Sequence, residues 1–369
     1  MTRRVFLLMG LAIFAVVLSH AAGWGQIAMV NWTDRYRPVT VPNYDAVGSL
    51  GWNVLVFIRQ IVVWAVPAFL FCSALFVTYA ARGSQGVFSW KMARVRIVGL
   101  LIPYLIWSIF WFVMDALEHT FYSPGEYISR LIVGKADGGS YFFIPLLCQF
   151  YLLSPLIVQG AKSKPKRLLV VAVVIQLIGF GIQYLRFVGM AVPSFIKWII
   201  DSWLFFMWST YFALGLVYGF HSERIKQAVL RYKWILFACL LIFGVIAVFE
   251  AEAIFSLTKY DVRYVPFTFS AWFYSIAFLL AFVVFDKTSI PLQSRIISLG
   301  GKSLGIYLIH AKAISYVARL IRQVAPRLLA YPVLIFSPLM LVVGLAVPLL
   351  LMAIVSRTPL RRYYRYLFG

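Results

Sequence analysis

Apolar runs of about 20 residues constrain this chain more than any other feature. A helix needs about 20 apolar residues to cross the hydrocarbon core of a bilayer. Such runs occupy 5–24, 52–80, 97–117, 141–160, 168–189, 199–220, 234–253, 265–285, 303–323 and 331–355. They predict an all-α polytopic membrane protein with about ten transmembrane helices. Composition agrees: 63% of residues are hydrophobic and 12% are charged. Soluble domains are closer to about 25% charged. The connections are short except 25–51 and 118–140. No internal repeat or low-complexity segment is visible, so the chain reads as a single domain, 1–369.

The charge balance is lopsided, with 34 Lys and Arg against 12 Asp and Glu, net +22. In a soluble protein that balance would point to nucleic acid. Here 21 of the 34 bases fall in the two termini and alternate connections. They include Arg3, Arg4, Arg82, Lys91, Lys162, Arg224, Lys287, Arg357 and Arg365. Short loops rich in Lys and Arg stay cytoplasmic. Both termini are therefore expected inside, loop 25–51 outside, and no nucleic-acid partner is expected. The localisation read from this pattern is a multi-pass protein of the cell inner (plasma) membrane. A cleaved signal peptide is the competing reading of the N-terminus. It would discard the first span and its histidine, and would put the C-terminus on the wrong side of the charge count.

Ionisable groups in lipid are costly and mark a functional site or a pair by default. The spans hold His20, Arg59, Asp115, Asp201 and His310. His20 lies 16 residues after Arg4, ~24 Å along a helix, in the outer half of the membrane. It is either a reactive group or a structural histidine bonded to a neighbouring helix. Arg59 either lines a cavity or reaches to the outer interface. Asp115 and Asp201 sit near expected outer helix ends, where a solvated carboxylate is ordinary. Cys72, Cys148 and Cys239 have neither zinc-site spacing nor an even count, and read as small core residues. There is no phosphate-binding loop, no HExxH helix and no carboxylate cluster that suggests a metal centre. From residues alone the chain is a membrane protein with a candidate site around His20 and Arg59, and no reaction follows.

Six segments in order resemble the acyltransferase 3 family of integral membrane acyltransferases. "MGLAIFAVVLSH" (9–20) is similar to that family's first helix, which ends in histidine. "AVPAFLFCSALFV" (65–77), "ARVRIVGLLIPYLIWS" (93–108) and "SYFFIPLLCQFYLLSPLI" (140–157) resemble its following helices. "GGKSLGIYLIHAKAI" (300–314) and the basic tail "RTPLRRYYR" (357–365) complete the set. The chain departs at Met9, where members commonly carry arginine. It departs also at Ser73-Ala74 in place of a serine-glycine pair, and at Gly99 in place of a basic residue.

The resemblance implies a stand-alone O-acyltransferase. It would move an acyl group, usually acetyl, from cytoplasmic acyl-CoA to a hydroxyl of an extracytoplasmic or lipid-linked glycan. His20 would act as general base or acyl relay, with Arg59 orienting the acyl carbonyl or stabilising the oxyanion. Lys91, Arg94, Arg96 and Lys302 are the candidates for the donor phosphates. Gln149, Tyr151, Tyr307 and His310 are cavity candidates, with ordinary interhelical hydrogen bonding as the alternative. The expected partners are the glycan or lipid-linked sugar acceptor and membrane lipids, and a homo-oligomer is left open. Two rival functions remain: a polysaccharide or lipid exporter on the same scaffold, and an acyltransferase for a small molecule or antibiotic.

Overall fold

A computed structural model describes residues 2–39, 41, 43–259, 266–285, 288 and 290–369. The described residues form helices α1 (Thr2–Val30), α2 (Leu50–Ile61), α3 (Ala65–Arg82), α4 (Trp90–Leu117) and α5 (Pro124–Val133). Next come α6 (Phe143–Ser163), α7 (Pro165–Phe187), α8 (Ser194–Ile199), α9 (Ser209–Leu230) and α10 (Lys233–Thr258). The chain ends with α11 (Phe269–Val284), α12 (Gln293–Gly300), α13 (Ser303–Val324), α14 (Ser337–Arg357) and α15 (Tyr364–Phe368). No strand occurs among the described residues. Among the described residues, eight spans are long and apolar enough to cross a membrane. The other two expected spans are α11, a shorter apolar helix, and the more polar α9. The protein is an all-α polytopic membrane protein.

Helix α1 is the centre of the bundle and packs against α2, α3, α12, α13 and α14. It approaches α12 closely because both contact points are glycine. A Cβ on Gly10 would stand 1.9 Å from the Ile296 carbonyl oxygen, and one on Gly300 1.9 Å from that of Phe6. Small residues let membrane helices approach to backbone contact. The connection expected over 286–302 therefore contains a helix seated on the first span. Lys287 lies outside the described residues.

Two expected spans are corrected. The run 52–80 is not one helix, because α2 stops at Ile61 and α3 starts at Ala65. Pro67 cannot donate to the carbonyl four residues back, and its ring would clash there. It is tolerated in the first turn of a new helix, and that is where it stands. The Ile61 carbonyl beside the break accepts a hydrogen bond from Tyr274 Oη at 2.8 Å. The run 199–220 likewise becomes a turn followed by α9. Buried Gln176 of α7 accepts from the Thr210 N–H at 3.0 Å and so satisfies the new helix start.

The basic segments converge on one end of the bundle. Arg4 donates to the Phe285 carbonyl at 2.7 Å, and Arg82 to that of Phe220 at 3.1 Å. His221, at a kink in α9, bonds the Ala161 carbonyl at 3.0 Å. Arg365 shares a groove with Lys91 and Arg94. The opposite end holds Arg322 with Asp34 and Arg319 with Glu118. Cysteine labelling tests the orientation. In a cysteine-free background, Tyr44→Cys in the loop after α1 is expected to react with an impermeant maleimide in intact cells. Arg361→Cys should react only after permeabilisation. Equal reactivity from one side would overturn the assignment.

Candidate active site

One face of α1 carries Val16, Ser19, His20 and Trp24, spaced three and four residues apart. One face of α13 carries Tyr307, Ala311 and Ser315. These faces form two walls of a cavity of about 690 Å³. A third wall is the break between α2 and α3, with Arg59, Val62, Val63, Ala65 and Val66. The loop 137–140 closes the fourth side, and Ser202, Trp208, Pro266 and Phe267 cover one end. The sequence interruption at Pro67 thus puts non-helical backbone against a cavity, where a membrane protein tolerates it.

His20 meets His310 across the α1–α13 contact. Their ring centroids are 5.0 Å apart and the planes are inclined at 70°, an edge-to-face pair. His310 is fully buried. Its Nδ1 lies 2.8 Å from the Tyr307 carbonyl and 3.1 Å from that of Ile306. Only an N–H can bond a carbonyl, so this contact assigns the proton to Nδ1. Nε2 is then an acceptor, and it has no hydrogen-bond partner among the described residues. An uncompensated buried nitrogen beside a second imidazole is costly unless the site uses it. His20 itself is partly exposed, facing the cavity.

Arg59 reaches α1 from the end of α2. Its Nη1 donates to Gln26 Oε1, and its Cζ lies 3.4 Å from where a Cβ on Gly23 would stand. Gly23 is one turn beyond His20, so the guanidinium stands over the same helix face as the imidazole. The reading of Arg59 as a cavity residue, rather than one reaching to the interface, fits this placement.

Asp137 contributes a carboxylate that the sequence reading did not single out. Oδ1 accepts from the backbone N–H groups of Gly139, Ser140 and Tyr141 at 3.1, 3.0 and 3.2 Å. Oδ2 is buried without a partner. Burial pushes the carboxyl above its ordinary pKa, against the pull of the three N–H donors. Gly138 and Gly139 at φ +104° and +130° let the chain turn tightly enough to make those bonds. The loop is fastened to α13 twice, by Tyr307 Oη to the Ser140 carbonyl and Tyr141 Oη to the Leu308 carbonyl. The "ADGGS" stretch was a visible turn signal, but nothing local shows that it folds inward.

The remaining residues separate into groups. Tyr307 lines the cavity, and His310 is fully buried against His20. Gln149 does not line the cavity. It ties α6 to the turn before α9, donating to the Trp203 carbonyl at 2.7 Å and accepting from the Phe205 N–H at 3.3 Å. Tyr151 lies under the Arg96 guanidinium, 5.8 Å from its ring centroid. Arg96 also donates to the Phe76 carbonyl at 3.0 Å, which turns it into the bundle towards α3. Lys91 and Arg94 occupy the other face of α4, with Arg365. Lys302 is exposed at the start of α13 and lines neither cavity. Asp115 is not a solvated helix end: it is buried and paired with Lys312 at 2.7 Å.

The family model for an acyltransferase domain, acyltransferase 3, matches residues 7–355. The chain belongs to the acyltransferase 3 family of membrane proteins. It is also similar to proteins of Staphylococcus aureus, strains MRSA252 and N315, named as probable poly-beta-1,6-N-acetyl-D-glucosamine export proteins. Each is 24% identical over 264 residues, covering 69% of this chain and 70% of the relative. No solved structure matches the chain.

Proposed function

We propose that the protein transfers an acyl group, acetyl in the simplest case, from cytoplasmic acyl-CoA to a hydroxyl of an extracytoplasmic or lipid-linked glycan at the inner membrane. The observation that carries this reading is His20 on the wall of a cavity large enough for a sugar unit, with His310 buried behind it in ring contact. A sugar hydroxyl is a weak nucleophile at neutral pH and needs a base in reach. His310, with its Nδ1 proton committed to the Tyr307 carbonyl, keeps Nε2 unbonded beside His20, and a small turn of the His20 ring to donate to it would fix the His20 tautomer. His20 then presents its remaining nitrogen to the substrate.

In direct transfer, His20 takes the hydroxyl proton as the oxygen attacks the thioester carbonyl. The tetrahedral centre collapses, the C–S bond breaks and the CoA thiolate recovers the proton from His20. In the relay alternative, His20 accepts the acyl group with loss of CoA thiol, and the hydroxyl later takes it from the imidazole. Arg59, whose guanidinium stands over the same face of α1, would stabilise the developing oxyanion. Of the four basic candidates, Arg96 is the one turned into the bundle beside α3. We therefore assign it to the donor phosphates.

A second reading is glycan export, favoured by the names of the staphylococcal relatives. One assay separates the two. Purified protein in liposomes receives radiolabelled acetyl-CoA and a β-1,6-linked N-acetylglucosamine oligomer, and ester formation is followed. Acyl transfer predicts labelled oligomer and free CoA in equal amounts, whereas export alone predicts neither. In the same assay Arg96→Ala is expected to raise the donor KM about ten-fold or more with a smaller fall in kcat. An unchanged donor KM in the folded variant would remove Arg96 from the donor site.

A further inference from the structure

The groove between α4 and α15 carries an inference that does not depend on the acyl-transfer reading. It has a volume of about 590 Å³. Its upper rim holds Lys91, Arg94 and Arg365. Its floor is apolar: Val95, Val98, Gly99 and Ile102 follow one another at helical spacing. Val95 is 60% exposed and Val98 43% exposed, so the floor opens away from the bundle. A Cβ on Gly99 would meet nothing within 4 Å, which leaves the groove deepest one turn below the cations. The exposed stripe continues through Leu105, Ile109 and Val113 to Leu117. From Val95 to Leu117 it runs ~33 Å, the thickness of a hydrocarbon core.

Charge decides the occupant. Among the described residues no side-chain carboxylate lines the groove, and with a terminal carboxylate at Gly369 counted the rim is still net positive. Of the 12 acidic residues only Glu223 and Asp286 fall in the basic connections of the chain. Three cations at the mouth of an apolar channel match an anionic head above hydrocarbon. They do not match a fully polar ligand, which would lie on Val95 and Val98 without hydrogen bonds. We propose that this groove binds one anionic phospholipid, its phosphate held by Lys91, Arg94 and Arg365 and an acyl chain laid along Val95, Val98, Gly99 and Ile102. Lys91 and Arg94 thereby serve a lipid, while Arg96, on the opposite face of α4, faces inward.

Native mass spectrometry of the delipidated full chain tests this, with dioleoyl-phosphatidylglycerol and dioleoyl-phosphatidylcholine as probes. The wild type is expected to keep one phosphatidylglycerol under conditions that strip phosphatidylcholine. Arg94→Gln should weaken retention about five-fold, and the Lys91→Gln/Arg94→Gln/Arg365→Gln variant should weaken it further. Gly99→Leu keeps every cation but fills the floor, so it should also release the lipid. Arg361→Gln/Arg362→Gln removes two exposed cations outside the groove and should change nothing. Equal retention of both lipids would overturn the proposal, as would retention unchanged in Arg94→Gln and Gly99→Leu. An equal loss in the Arg361/Arg362 control would reduce the effect to bulk charge. Displacement of the lipid by coenzyme A at the same concentration would reassign the groove to the donor. Single variants that bind lipid less but unfold at the wild-type temperature meet the objection that the triple variant is misfolded.

Discussion

Replacing His20 by alanine is expected to lower acyl transfer by about 10²–10⁴-fold, the range typical for loss of a general base. Expression and insertion should be unchanged, because α1 stays apolar without the imidazole. His20→Gln is the sharper variant. It keeps a polar side chain of similar reach but cannot accept the proton, so it should be nearly as inactive as alanine. His310→Gln should cost less than His20→Gln, since His310 acts by orienting its partner rather than touching the hydroxyl. Its loss should appear mainly in kcat, because substrate contacts are untouched. The measurement is initial rate in liposomes with purified variants of equal thermal stability. If His20→Gln retained most of the activity, His20 would be a structural histidine. The base would then have to be sought at Asp137, which lines the cavity, or at His310, buried behind His20. If instead no variant, and not the wild type, released CoA, the export reading would gain.

The spans were legible because each is a simple statement about length and apolarity. Ten apolar runs map onto helices, two of them with a break, and the alternation of basic connections reappears as a basic end where Arg4, Arg82 and Lys91 lie. His20 was legible for a related reason: it is the one titratable group in the first span after its basic start. What the sequence could not show was which face each residue takes in three dimensions. Arg94 and Arg96 look equivalent in "ARVRIVG", yet two residues on a helix are about 200° apart. One faces outward with Arg365 and the other faces Phe76 and Tyr151. Gln149 stands in a motif helix, but its amide is consumed by the turn before α9. Asp137 was missed because its burial depends on the loop being tied to α13, 167 residues away in both tyrosine bonds. His20 and His310 come from opposite ends of the chain, and no local pattern pairs them. The break at Pro67 was foreseeable from proline chemistry alone, but the continuous apolarity of 52–80 outweighed it.

Asp115 supplies the other large effect, on stability rather than on rate. Its carboxylate lies 2.7 Å from Lys312 Nζ, with side chains only 12% and 13% exposed. The Asp115 carboxylate also accepts from Tyr122 Oη at 3.4 Å. Removing one member of a buried ion pair leaves the other charge desolvated and unpaired, at about 3–5 kcal/mol. Lys312→Met is therefore expected to lower the thermal midpoint in detergent sharply, and Asp115→Leu should do the same. The double variant Asp115→Leu/Lys312→Met should recover most of the loss, because a well-packed apolar pair often matches a buried ion pair. The neighbouring pair sets the comparison. Glu118 and Arg319 meet at 2.8 Å, but both are about two-fifths exposed. Exposed pairs contribute about 0–1 kcal/mol, so Glu118→Gln should barely move the midpoint. Both pairs tie α4 to α13, the helix that carries His310, so they share geometry and differ in burial. If Lys312→Met shifted the midpoint no more than Glu118→Gln does, water would be reaching Asp115. The α4–α13 contact would then be held by its aromatic packing, Trp111 against Tyr316, instead of by charge.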